Sequence, residues 1–151
     1  MDLSEASADL LELVSLVIRG VSNNRDMSLT ALSVLGSVER LGPRRITALA
    51  ASEGVSQPSM TQLIQRLEQR GLVARSSDPA DGRVALVSLT DEGRAAVAAR
   101  RARSASRIAG LLADLPENDV QSLHHALRAV LPAIRRQVGG DARVVGSMAG
   151  G

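Results

Sequence analysis

The 151-residue chain is about one domain long, 44% hydrophobic and close to charge balance at a formal net +2, the profile of a protein that folds around its own core. All 18 basic residues are Arg, and Cys, Phe, Tyr and Trp are absent. That excludes disulfides, thiolate metal sites, thiol redox sensing, and the stacking of bases on aromatic rings used in single-strand and RNA recognition.

No run approaches the ~20 apolar residues of a membrane span. The first residues are acidic where a secretion signal carries positive charge, so a cytoplasmic protein is expected. The charge is unevenly spread. Residues 40–107 hold 12 Arg against 6 acidic residues, whereas the two flanks together hold 6 Arg against 10. Positive charge thus gathers in the middle of the chain, as contact with phosphates requires. Arg100, Arg101 and Arg103, close together on one late helix, supply part of that excess and also read as a solvated face.

In chain order, residues 5–22 place Leu10, Val14, Val17 and Val21 on one stripe, widened by Leu11 and Ile18, which predicts an amphipathic helix ended at Ser22-Asn23-Asn24. Ser28 is placed to cap a second helix with Leu32, Leu35 and Val38 inward and Leu41 near its end, stopped by Gly42-Pro43. A third helix over about 46–52 turns Ile46, Leu49 and Ala50 inward. Gly54 makes the tight turn that follows, and Ser56 caps a fourth helix with Pro58 in its first turn. Met60, Leu63, Ile64 and Leu67, at i, i+3, i+4 and i+7, form its buried stripe.

The other faces of this fourth helix carry Gln57, Ser59, Thr61, Gln62, Gln65 and Arg66, and no acid stands between Glu53 and Glu68. Gln bonds adenine bidentately, Arg bonds guanine, and Ser or Thr reaches bases or phosphates. A plain solvated face would carry more Glu and Asp.

Gly71 ends the helix, and residues 72–76 and 84–89 read as two strands of a hairpin with Asp78-Pro79 and Asp81-Gly82 as turn chemistry. Arg83 at the tip suits a minor groove, and Asp81, two residues away, is positioned to accept its N–H groups and orient the fork. Thr90 caps a fifth helix with Asp91 and Glu92 at its positive end, running to about Leu112 and followed by Leu115 and Pro116. A sixth, from about Glu117, carries Val120, Leu123, Leu127, Val130, Leu131 and Ile134, with Pro132 expected to kink or shorten it. Residues 139–151, Gly-rich, are expected to be a disordered tail.

The fold class is therefore mainly α with a small β-hairpin wing: a winged helix-turn-helix over about 28–90, framed by N- and C-terminal helices at about 5–22 and 91–138 (dimerisation helices in the resemblance given below), in one domain spanning 1–138. This arrangement puts one helix in a DNA major groove with a basic hairpin beside it.

The run from Leu49-Ala50 through Val55-Ser56, Leu67-Glu68, Arg70-Gly71-Leu72-Val73 and Asp81-x-Arg83 to Val87-Ser88-Leu89-Thr90 and Gly93 resembles the MarR family of bacterial transcription regulators. The resemblance covers about residues 8–138. It implies an obligate homodimer in which the first, fifth and sixth helices of two subunits intertwine, with Leu10, Val14, Val17, Leu111, Leu112, Leu115, Leu123, Leu127 and Val130 between them. Two reader helices would then enter successive major grooves of a pseudopalindromic double-stranded operator. By position, Ser56, Gln57, Pro58, Ser59, Thr61, Gln62, Gln65 and Arg66 supply the groove face, and Asp81 and Arg83 the wing. Arg75, and Arg44 or Arg45, are phosphate candidates.

The resemblance also implies a repressor released by a small-molecule effector; Arg19, Arg25 and Arg40 suit an anion or, equally, ion pairs at the surface, and no aromatic side chain is present to stack on an aromatic acid. No cofactor or metal is expected. His124 and His125 are adjacent on a helix and point about 100° apart, suiting neither a shared metal nor a dyad, and no nucleophile elbow, P-loop or zinc helix is present, so no enzymatic activity is expected. The rival reading is a winged-helix dimerisation or protein-interaction module without specific DNA readout. A metal-sensing winged helix is disfavoured by two His and no Cys.

Overall fold

The computed structural model describes residues 2–21 and 27–148. Its elements are α1 (Leu3–Val21), α2 (Leu29–Leu41), β1 (Arg44–Arg45), α3 (Ile46–Glu53), α4 (Gln57–Gln69), β2 (Val73–Ser77), β3 (Ala85–Leu89), α5 (Asp91–Leu112) and α6 (Glu117–Met148). The architecture is mainly helical with a small antiparallel sheet, a winged helix-turn-helix. The core lies between α2, α3, α4 and the sheet. Its largest fully buried side chains are Val34, Leu35, Leu49, Met60, Ile64, Val73 and Val87.

Local chemistry explains most boundaries. The Ser28 hydroxyl accepts from the Ala31 N–H at 3.1 Å and starts α2. Gly54 adopts the left-handed conformation (φ 65°) and reverses the chain between α3 and α4. Ser56 accepts from the Ser59 N–H at 3.3 Å, and Thr90 from the Gly93 N–H at 2.9 Å, starting α4 and α5. The stop expected at residues 22–24 lies outside the described residues.

The sheet has three strands in the order β1-β3-β2, one more than the expected hairpin. Arg44 pairs with Val87 and Arg45 with Leu86 on one side of β3, while Arg75 also faces Val87 from β2. Two arginines carry no strand signature. They pair because the entry to α3 passes beside the free edge of β3, whose N–H and C=O groups need partners. Along β3 the inward set is Val87 and Leu89, opposite Arg75 and Val73.

Two sequence expectations for the helices are corrected. Leu32, expected inward, is only half-buried, whereas Ala31 and Val34 enter the core. The helical backbone of α6 passes through Pro132 and continues to Met148, beyond the tail boundary expected at residue 139. Extending an existing helix fixes one residue per hydrogen bond and needs no new nucleus, so glycines at about 1 kcal/mol each slow propagation without forbidding it. Among the described residues, no helix is long and apolar enough to cross a membrane.

The framing helices sit outside this core. α1 has no buried residue, and Leu10, Leu11, Leu13, Val14, Leu16 and Ile18 are all exposed. It packs along α5, where Gly20 lets Leu111 approach: a Cβ built there would lie 3.0 Å from the Leu111 Cδ1. Of the expected dimerisation residues, Leu10, Val14, Leu111, Leu115, Leu127 and Val130 are exposed and Val17, Leu112 and Leu123 half-buried. Leu115 lies past the end of α5, in the turn before α6.

The tightest backbone approach joins the wing to α5. A Cβ on Gly93 would sit 2.0 Å from the Leu72 carbonyl oxygen, the same oxygen that accepts the Thr90 N–H at 3.2 Å, while the Thr90 hydroxyl donates to the Gly71 carbonyl at 2.5 Å. Only glycine fits, because the obstacle is backbone and cannot rotate away. Gly93→Ala is expected to destabilise the fold by about 1–3 kcal/mol, the usual cost of overpacking, read as a lowered chemical-denaturation midpoint at unchanged slope. An unchanged midpoint would show that α5 can lift from Leu72 without loss.

Candidate nucleic-acid interface

α4 is oriented by its apolar stripe. With Met60, Leu63, Ile64 and Leu67 buried, the 100° step between residues turns Pro58, Ser59, Gln62, Gln65 and Arg66 to the opposite arc. All five are exposed, as is Gln57, and Thr61 is half-buried at the margin. The N-cap Ser56 is also exposed, and its hydroxyl donates to the Ser59 Oγ at 2.8 Å. The face is thus a continuous patch of hydroxyl, amide and guanidinium groups at the N-terminal end of a helix, where N–H groups and the helix dipole favour an anion.

The single acid near this face, Glu68, is not left open. Its Oε2 accepts from the Nε and Nη2 of Arg75 at 3.0 and 2.7 Å. Arg75, a phosphate candidate, is held by Glu68 and ties β2 to α4. The two residues lie seven apart across the Gly71 turn, a spacing with no helical or strand meaning, so nothing in the sequence pointed to the pair.

Arg83 stands at the wing tip with its side chain 91% exposed. Asp81 accepts three bonds from it: the backbone N–H at 3.1 Å, Nε at 3.1 Å and Nη2 at 3.3 Å. The carboxylate is therefore applied to the fork as a brace, leaving the guanidinium projecting. These bonds, from the Arg83 side chain first and its backbone second, hold the Asp81 carboxyl below its ordinary value of 3.8.

Asp78 was read as turn chemistry alone, and the structure gives it more. It is the one charged residue buried among the described residues. Its Oδ1 accepts the Ala80 N–H at 2.9 Å, and its Oδ2 accepts the Arg45 Nε and Nη2 at 2.9 and 2.6 Å. The Ala80 bond and then Arg45 lower its pKa. Arg45 is thereby held at the start of the wing loop. Arg44 is half-buried in β1.

The remaining candidates fall elsewhere. Arg19 and Arg40 are exposed in the last turns of α1 and α2, and Arg25 lies outside the described residues. The His124 and His125 rings are 6.1 Å apart and inclined by 60°. A cavity of about 20 Å³ lined by Val21, Arg100, Arg103, Ser104 and Arg107 separates the end of α1 from α5, room for about one water.

Because both wing carboxyls are lowered in the fold, their contribution to wing order is present above 3.8 and is lost as pH falls through the lowered values. The expected outcome is an Arg83 Nε–H resonance unchanged from about pH 7 to about pH 5 and shifting only below the ordinary carboxylate range. A shift centred near pH 6 would assign the wing's order to some other group.

Comparison with known proteins places this geometry. Residues 27–85 match the model of the MarR family. An HTH-type transcriptional regulator of Mycobacterium tuberculosis is 44% identical over 89 residues, 56% of this chain and 62% of that protein. The transcriptional repressor MdtR of Bacillus subtilis is 39% identical over 62 residues, 41% of this chain and 40% of MdtR. The chain thus spans less than two thirds of the length of these relatives. The transcriptional regulator Tm0710 of Thermotoga maritima superposes with a TM-score of 0.76 at 24% identity, over 90% of this chain and 98% of that one, a likeness of fold. Family model, sequence relatives and fold agree: residues 27–85 match the MarR family, and the winged helix-turn-helix of this chain is similar to those of its regulators.

Proposed function

We propose that the chain is a sequence-specific double-stranded DNA-binding transcriptional regulator that occupies a pseudopalindromic operator as a homodimer and represses from it. The observation that carries this reading is the outward arc of α4. Ser59, Gln62, Gln65 and Arg66 lie opposite the buried stripe with no unpaired acid among them, while Arg83 is braced and exposed on the adjoining wing. In this reading Gln65 and Gln62 read base edges, Arg66 reads a base or a phosphate, and Arg83 enters the minor groove. The chemistry on offer is binding rather than catalysis, and repression follows from occupying a promoter.

Dimerisation is supported by the framing helices. A 19-residue helix with no buried residue and apolar side chains from Leu3 to Ile18 gains little by itself, since helical stability comes mainly from packing an apolar face. Leu111, Leu127, Val130 and Ile134 add to the same need. A second copy satisfies it by two-fold symmetry and sets half-sites about one turn, ~34 Å, apart. Release by a small-molecule effector belongs to the same proposal. In this conformation the cavity where the end of α1 meets α5 has room for about one water, so an effector there would act by prying the helices apart.

Selection of bound duplexes from a random pool is expected to enrich an inverted repeat. Gln65→Ala should then relax preference at one position per half-site by about 1–3 kcal/mol. Arg83→Ala should weaken binding and reduce the salt slope by about one. Leu127→Glu should convert a dimer to a monomer in sedimentation and abolish tight binding together with it. Recovery of no motif, with only weak salt-sensitive binding, would favour an interaction module that has kept the fold and lost readout.

A further inference from the structure

We infer that Asp78 is the positioning residue of the wing: by holding Arg45 at one oxygen and the Ala80 N–H at the other, it fixes the direction in which Arg83 projects. The inference rests on the proposed minor-groove role of Arg83. Two points carry it.

The 78–84 loop closes on Asp78 from both ends. Its N–H donates to the Val84 carbonyl at 2.8 Å, the Val84 N–H donates to the Asp81 carbonyl at 3.0 Å, and the Asp78 carboxylate accepts the Ala80 N–H. Asp78 thus holds the loop through its backbone at Val84 and through its side chain at Ala80. That side chain is 11% exposed while Arg45 is 48% exposed, so the carboxylate is the fixed member and the arginine reaches to it. Arg45 in turn is fixed in β1, paired with Leu86, immediately before α3. The contact therefore ties the wing tip to the start of the helix-turn-helix, thirty-three residues earlier in the chain.

The sign of the charge makes the second point. A buried carboxylate beside a DNA-binding surface repels phosphate, so retaining one has to be explained by what it holds. A surface ion pair adds little stability, but two N–H bonds to one carboxylate oxygen impose geometry. Without the contact, residues 78–84 remain a hairpin loop joined to the body only through β2 and β3, and the Asp81–Arg83 brace turns with it.

Asp78→Asn separates the functions of the side chain. It keeps an oxygen for the Ala80 N–H and removes the charge from Arg45. It also makes the protein more basic, so any non-specific effect on DNA affinity is a gain. The test compares Arg83→Ala with and without Asp78→Asn on a duplex enriched from the random pool, alongside backbone and Arg83 Nε 15N relaxation of the free protein. The denaturation midpoint of each variant confirms folding. The expected result is weaker binding for Asp78→Asn despite its added charge. Arg83→Ala should then cost at least about threefold less affinity in that background than in the parent, and order parameters should fall at residues 79–84 only.

An equal cost of Arg83→Ala in both backgrounds, with unchanged relaxation at the tip, would overturn the inference while leaving Arg83 as a DNA contact. No cost of Arg83→Ala in the parent would overturn the minor-groove reading instead. The relaxation arm would then decide the positioning role alone, an unchanged tip in Asp78→Asn refuting it. Arg45→Lys, which keeps charge but not the two-pronged bond, should behave as Asp78→Asn does in relaxation. Parent-like order in that variant would also count against the clamp.

Discussion

Met60, Leu63, Ile64 and Leu67 lock α4 in rotation about its own axis, and the polar surface of the molecule takes its meaning from that lock. A slip of one residue along the helix would turn the outward arc by 100° and carry Gln65 toward the core. The lock is held by the packing of α4 against α3 and β2, within one buried cluster that also includes Leu35, Leu49, Val73 and Val87. Reader face and hydrophobic core are two sides of one packing solution, which is why a stripe of four apolar residues says so much about the polar residues between them.

Acids in the neighbourhood of that surface follow a common pattern. Glu68, Asp78 and Asp81 each hold an arginine by more than one bond. Each pair joins different parts: α4 to β2, β1 to the wing loop, and the tip to itself. Exposed ion pairs contribute about 0–1 kcal/mol to stability, so these contacts matter for direction more than for energy. They also discharge carboxylates that would otherwise oppose a polyanion. Of the three arginines, Arg83 is the one whose side chain remains almost wholly exposed.

The sequence made the local chemistry legible and left the distant contacts dark. Ser28, Ser56 and Thr90 as caps, Gly54 as the left-handed turn, and the α4 stripe all depend on residues within about one turn of each other, where spacing has physical meaning. The Asp81–Arg83 brace, two residues apart, was readable for the same reason. β1 was not, because two arginines acquire strand geometry only from the edge they pass. Arg45–Asp78 and Arg75–Glu68 were missed because side chains far apart in sequence meet only after the sheet has formed. By their position in the resemblance both arginines are candidates for phosphate contact. The helix beyond residue 138 escaped because glycine content argues against starting a helix more strongly than against continuing one.

α5 links the two halves of the proposed machine. It begins where Thr90 and Gly93 are pressed against the backbone of Gly71 and Leu72, and its 22 residues extend about 33 Å. Along that length, Arg101 meets Glu39 of α2 at 2.8 Å, and Arg107 donates to the Val21 carbonyl at the end of α1 at 2.7 Å. Leu111 packs over Gly20. The helix is thus anchored to the wing at one end, to the reader's outer helix in the middle and to the exposed apolar helix at the other. Rigid helices transmit displacement rather than absorb it. In the proposed dimer, a change in how two copies meet at α1 and α6 would therefore have a direct mechanical route to the strand start that carries the wing. The backbone contact at Gly93 leaves that route no slack at its DNA-proximal end.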